Sequence, residues 1–213
     1  MDEHARGIVL RVHPLTESSL IIRWLTPNVG RIATVAKGAR RPNSPFRGKL
    51  DLFYVADFTF RRSRRSELHT LREVGLPETH AFLRKELGYL QQASYCAALI
   101  EQATENETPM TAIFDLMNGF LNHLGLQPPA AQTIFAFELK LLNELGLKPD
   151  LARSRTTAGV KEIIKALTDF DWGALFGLKL SDAQLAELRQ FLHDFLIFHL
   201  GKVPTGRTKA LQL

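Results

Sequence analysis

At Gly75-Leu76-Pro77 the hydrophobic period of this chain changes from about two residues to about 3.6, which divides it into a strand-built part and a helical part. Gly7–His13 is rich in β-branched residues and bounded by Pro14. Leu20–Leu25 sets Leu20, Ile22 and Trp24 on one side and Arg23 on the other. Thr26-Pro27-Asn28-Val29-Gly30 then supplies turn chemistry, and Arg31–Lys37 follows as a third strand. Across Lys49–Arg61, Leu50, Leu52, Tyr54, Ala56, Phe58 and Phe60 alternate with a second set that includes Asp51, Phe53, Asp57 and Thr59, which predicts a fourth strand. Glu67–Val74 is a weaker fifth. Five strands without a helix long enough for a crossover predict a closed or nearly closed small barrel such as an OB-fold, placed at residues 1–76.

Residues 77–213 read as an all-helical domain, so the chain is mixed β and α with two domains. Gly88–Thr104 is rich in Ala, Leu and Gln. Thr108 with Pro109 behind it predicts an N-cap ahead of the stripe Ile113, Leu116, Met117, Phe120, Leu121 and Leu124, which Gly125 ends. Ala130–Leu145 repeats the pattern and closes on Gly146. Ser181 and Gln184 have capping-box spacing ahead of Leu185, Leu188, Phe191, Leu192, Phe195 and Phe198, and Gly201 stops that helix. Helical spacing makes Phe191–Phe198 a core stripe on this reading.

Charge is distributed unevenly. Residues 1–73 hold 14 Lys+Arg against 7 Asp+Glu, whereas the remainder holds 13 against 15. A basic segment joined to a mildly acidic one suggests a polyanion-binding module on a separate scaffold. Its cations concentrate in two segments between strands. Lys37-Gly38-Ala39-Arg40-Arg41-Pro42-Asn43-Ser44-Pro45-Phe46-Arg47-Gly48-Lys49 is one, and Arg61-Arg62-Ser63-Arg64-Arg65 the other. Guanidinium forks match phosphate oxygens, and glycine allows close backbone approach. Lys37, Arg40, Arg41, Arg47, Lys49, Arg61, Arg62, Arg64 and Arg65 are therefore the candidate phosphate contacts. Phe46 and Phe53 are either base-stacking platforms or pieces of the core.

Other chemistries find little support. The chain has no G-x-x-x-x-G-K phosphate loop, no G-x-S-x-G elbow and no H-E-x-x-H pair. His193 and His199 sit among apolar neighbours in the last long helix, and Cys96 reads as a small buried hydrophobe. A single cysteine forms no internal disulfide and suits a reducing compartment. No apolar run approaches the roughly 18 residues of a membrane span, and Met1-Asp2-Glu3-His4 lacks a signal-peptide core, so a cytoplasmic, nucleoid-associated protein is expected.

The ordered motifs resemble the RecO family of DNA repair and recombination mediators. They are Gly7-Ile8-Val9-Leu10-Arg11 with Glu17-Ser18, Leu25-Thr26-Pro27 to Gly30-Arg31, Ala36-Lys37-Gly38-Ala39-Arg40-Arg41, and Phe46-Arg47-Gly48. The similarity continues at Phe137-Glu138-Leu139-Lys140, Leu145-Gly146, Pro149-Asp150-Leu151 and Leu188-Arg189 to His199-Leu200-Gly201. The resemblance implies an OB-fold and a helical domain without catalytic turnover. It also implies binding of single- and double-stranded DNA, annealing of complementary strands, and loading of RecA onto DNA coated by single-strand-binding protein, with RecR as partner. It further suggests that the acidic C-terminal tail of single-strand-binding protein docks on the helical domain, with Phe135, Phe137 and Lys140 as the candidate site. Many family members carry a four-cysteine zinc cluster just after the segment matching Pro149-Asp150-Leu151. Here that stretch reads Ala152-Arg153-Ser154-Arg155-Thr156-Thr157, so no zinc or other cofactor is expected. The competing readings are an OB-fold RNA-binding or translation-associated protein, and a nuclease without a recognisable motif.

Overall fold

The computed structural model describes residues 1–212. Strands β1 (Asp2–Pro14), β2 (Leu20–Thr26), β3 (Gly30–Ala36), β4 (Val55–Arg61) and β5 (Leu68–Val74) close into a barrel in the order β1-β2-β3-β5-β4. Only β3 and β5 run parallel; every other pair is antiparallel. This is the expected five-stranded, OB-fold-like barrel. β1 serves two partners because it is long. Its first half pairs with β4, from Asp2 opposite Arg61 to Ile8 opposite Val55, and its second half with β2, from Ile8 opposite Leu25 to Pro14 opposite Leu20. The inward residues form one core of Val9, Ile22, Trp24, Ile32, Ala36, Ala56, Phe58, Phe60, Leu71 and Val74. Trp24 stacks on Phe58 at 4.1 Å and donates its indole N–H to Thr34 Oγ1 at 2.9 Å, so its one polar group is satisfied inside the barrel.

The predicted strand over Lys49–Arg61 is too long. The chain turns at Asp51–Tyr54, Phe53 takes a positive φ of 63°, and pairing with β5 begins only within β4. Phe53 N–H donates to Val9 O at 2.8 Å and Val9 N–H to Tyr54 O at 2.9 Å, so the turn stays bonded to β1 just beyond the pair Ile8 and Val55. Leu50 and Tyr54 pack partly buried on the barrel core from that loop, which explains why their alternation imitates a strand.

Contacts divide the chain into two compact units, Met1–Ala81 with Glu105–Asn118, and Phe82–Thr104 with Gly119–Leu213. In the barrel unit Glu107 N–H donates to Arg31 O and Met110 N–H to Pro27 O. Gly30 lies so close beneath Thr108 that a Cβ would stand 2.1 Å from its carbonyl oxygen, and its φ is +79°. Glycine is required there.

The helices are α1 (Leu87–Ala103), α2 (Thr111–Leu124), α3 (Ala131–Glu144), α4 (Ala158–Asp169), α5 (Asp182–Leu200) and the short α6 (Arg207–Leu211). The N-cap expected at Thr108 lies elsewhere: Phe114 N–H donates to Met110 O, α2 starts at Thr111, and the Thr108 hydroxyl bonds Asn106 O. α3 is the central helix, packed against α1, α4, α5 and α6, with Thr133–Leu139 buried on every side. The stretch lacking cysteines folds through α4, whose N-cap Thr157 accepts from Val160 N–H. The Ser181/Gln184 capping box and the left-handed Gly201 stop of α5 are both present. The Phe191–Phe198 stripe is not core. Leu188, Leu192 and Leu196 are fully buried, whereas Phe191 and Phe195 are half-buried and Phe198 is 82% exposed. Cys96 is fully buried in α1.

Candidate nucleic-acid interface

The loop from Lys37 to Tyr54 leaves the end of β3 as a chain of turns. Arg40 N–H donates to Ser18 O at 3.0 Å and its guanidinium to Thr16 O at 3.3 Å, tying this loop to the β1–β2 connection. Arg47 donates to Pro42 O, and Lys49 Nζ to Val74 O at 2.9 Å. Lys37, Arg40, Arg41 and Arg47 are exposed, Lys49 is half-buried, and the bonds just named all end on neutral carbonyls. Their charge stays uncompensated. Phe46 is 7% exposed and belongs to the barrel core, so it holds this loop down and offers no stacking face. Phe53, at 1% exposed, is likewise structural.

The second basic segment is different. Arg61 Nε donates to Asp2 Oδ1 at 2.8 Å. Arg62 grips both Glu3 oxygens at 2.9 and 3.1 Å, bonds Glu107 as well, and lies 5.8 Å from the Phe60 ring. The hydrogen bonds from Arg62 hold the Glu3 carboxyl below the usual carboxylate range, and Arg61 does the same to Asp2. Glu3 in turn pushes the Arg62 guanidinium up. Ser63 N–H donates to His69 Nδ1 at 3.3 Å, which fastens the base of the loop. Arg62 is thus an anchor, and the exposed cations of this segment that no acid meets are Arg64 and Arg65. Nothing local in the sequence signals that anchor, because Glu3 and Glu107 lie 59 and 45 residues away.

The two basic loops are not neighbours. β3 and β5 run parallel with Ala33 beside Leu68 and Val35 beside Thr70. The loop before Leu68 therefore enters beside Ala33, and the loop after Ala36 leaves three residues further along, roughly 10 Å away at about 3.3 Å per residue. Between them lies the outer surface of β2 and β3. Arg23 is exposed there, and the candidate cations drawn from the loops omit it.

In the helical unit the proposed tail site does not assemble. Phe135 and Phe137 are completely buried, because α3 is covered on all sides. Lys140 Nζ donates to Thr168 O at 2.8 Å and Phe170 O at 2.5 Å, capping the carbonyl end of α4, where a cation complements the helix dipole. Burial lowers its pKa, with Asp169 and Asp171 opposing the shift. Among the described residues no three His, Cys, Asp or Glu side chains converge as metal ligands, and no helix is long and apolar enough to cross a membrane.

Two family models match this chain: "Recombination protein O N terminal" over residues 1–80 and "Recombination protein O C terminal" over residues 84–157. The chain is 33% identical over 172 residues to a DNA repair protein RecO of Anaeromyxobacter dehalogenans, covering 80% of this chain and 68% of that one. It is 32% identical over 147 residues to the namesake of Rhodopirellula baltica, covering 69% and 54%. Against that of Bacillus pumilus it is 30% identical over 208 residues, covering 93% and 80%. The chain thus spans between about half and four-fifths of the length of these relatives. With both models matched in sequence order, and a closed five-stranded barrel under the first of them, the chain belongs to the RecO family.

Proposed function

We propose that this protein is a non-catalytic DNA-repair and recombination mediator that holds DNA by its phosphates at the barrel. The observation that carries this reading is the set Lys37, Arg40, Arg41 and Arg47, exposed on a loop whose side-chain bonds run to carbonyls, beside a barrel of the kind that binds oligonucleotides. The names of its relatives add DNA repair to that chemistry. On this reading it binds single and double strands, anneals complementary ones, and works with RecR and the tail of single-strand-binding protein to place RecA on DNA.

The test is salt dependence. Each phosphate contact contributes a slope of about −0.7 for single strands and −0.9 for duplex in log K against log salt. Arg40→Ala with Arg41→Ala flattens the slope by about 1.4 to 1.8 and weakens all sequences alike. Titration of a fluorescent oligonucleotide at several salt concentrations reads both quantities. Unchanged affinity and slope in a folded double variant would move the DNA site off this loop. Annealing of complementary strands precoated with single-strand-binding protein tests the mediator role itself.

A further inference from the structure

Helix α5 carries two apolar rows, and the helical unit buries only one of them. Leu188, Leu192 and Leu196 are fully buried. Phe191, Phe195 and Phe198 are spaced by four and three residues and so share the neighbouring face, where the first two are half-buried and Phe198 is 82% exposed. Phe191 stacks on Phe195 at 5.8 Å. The His199 ring lies 4.3 Å from Phe195 and 4.9 Å from Phe198, so the aromatic rings form one continuous strip. A contiguous apolar strip open to water marks an interaction surface. Being exposed, Phe198 adds little to the core of its own unit.

The charges at the two ends of the strip show what fits it. Glu187 lies about one turn before Phe191 on the same face. Its carboxylate accepts from Thr157 N–H at 2.6 Å and from the Thr157 hydroxyl at 2.9 Å, and meets no cation among the described residues. At the other end the left-handed Gly201 stops α5 and Lys202 follows, its carbonyl held by Gln102 Nε2 at 2.5 Å. Lys202 is exposed, and its ammonium meets no acid among the described residues. The order along this edge is therefore acid, three phenylalanines, cation. The pairs Phe191/Phe198 and Glu187/Lys202 share one midpoint, between Asp194 and Phe195. A second copy of the helix, laid antiparallel about a two-fold axis through that point, sets Phe191 against the copy's Phe198 and Glu187 against the copy's Lys202. Symmetry makes each contact twice.

We propose that this protein self-associates as a two-fold dimer through the phenylalanine strip of α5, with Glu187 and Lys202 fixing the antiparallel direction. A parallel pair would put Glu187 on Glu187 and Lys202 on Lys202, which like-charge repulsion disfavours, and would align the two helix dipoles. One helix per copy is a small contact, so the dimer is concentration-dependent and not obligate. One charge works against it. Asp194 sits beside the axis and approaches its own copy, with Gln190 Nε2 donating to both of its oxygens at 2.9 and 3.0 Å. The inference uses residues of the helical unit alone and does not rest on the DNA-binding reading above.

Sedimentation velocity of the full chain, over about a hundredfold range of concentration, reads the association. The wild type is expected to pass from monomer to dimer and no further, because a two-fold contact closes on itself. Phe198→Ser should abolish the dimer and leave the melting temperature of the dilute protein unchanged. Lys202→Glu should weaken dimerisation by about tenfold or more, since it faces like charges at both ends of the strip. Asp194→Asn should leave the dimer as tight or tighter. A wild type that stays monomeric throughout, or that grows into higher oligomers, overturns the proposal. So does a dimer that survives Phe198→Ser, ignores Lys202→Glu or is weakened by Asp194→Asn. A lower melting temperature in dilute Phe198→Ser would make that side chain structural and overturn it as well.

Discussion

Replacing Arg207 by methionine is expected to destabilise the helical unit by about 3–5 kcal/mol, the range seen when one partner of a buried ion pair is removed. Arg207 is 6% exposed and Glu138 not at all. The guanidinium grips the carboxylate through both oxygens, Nε to Oε1 at 2.7 Å and Nη2 to Oε2 at 2.9 Å, and Tyr95 donates its hydroxyl to the same Oε1 at 2.5 Å. Methionine keeps much of the volume but leaves the buried Glu138 carboxyl with the Tyr95 hydroxyl in place of an ion partner. By contrast, the Arg153–Asp150 pair, with side chains 91% and 59% exposed, should contribute less than about 1 kcal/mol. Urea unfolding followed by circular dichroism at the helix band reads the difference. With a slope of about 2 kcal/mol per molar urea, the midpoint of Arg207→Met falls by roughly 2 M. Adding Glu138→Leu should restore most of that loss, because exchanging a whole buried pair for apolar residues of similar volume is often neutral or stabilising. A loss below about 1 kcal/mol in the single variant, or no recovery in the double one, would refute the argument.

Burial, with Glu138 alongside, holds the Tyr95 phenol well above 10.0. The folded chain therefore keeps a proton that the unfolded chain releases, so stability present below about pH 10 is lost as pH rises further; Tyr95→Phe should flatten that alkaline decline in urea midpoints. Burial lowers the His123 pKa from 6.5, so the unfolded chain takes up the proton first as pH falls. Stability should drop below about pH 6.5, and His123→Phe should reduce that drop in thermal melts across this range. A Cβ on Gly119 would stand 2.7 Å from Trp172 Nε1. Gly119→Ala should therefore displace the indole and shift Trp172 fluorescence, although alanine favours the helix by roughly 1 kcal/mol; unchanged emission would contradict the packing.

The parts of this molecule legible in the sequence are those set by local rules. Strands β2, β3 and β5 follow from alternation bounded by turn residues, and the ends of α5 from Ser181, Gln184 and Gly201. What escaped depends on distant partners. α5 carries two apolar rows at helical spacing, one of leucines and one of phenylalanines, and hydrophobicity ranks the phenylalanines at least as high. The neighbouring helices settle the choice, burying Leu188, Leu192 and Leu196 and leaving Phe198 in solvent. Phe46 sits among Pro, Ser, Arg and Gly and reads as loop, yet the barrel end closes over it.

The same distinction governs the candidate site. Counting cations identifies the barrel as basic but gives Arg62 and Arg41 equal weight, although Glu3 and Glu107 hold the first while the second is exposed. Whether a cation on such a barrel is open to a phosphate therefore depends on the acids that meet it. Those acids lie far away in sequence, so charge counts find the barrel and geometry is needed to find the contact.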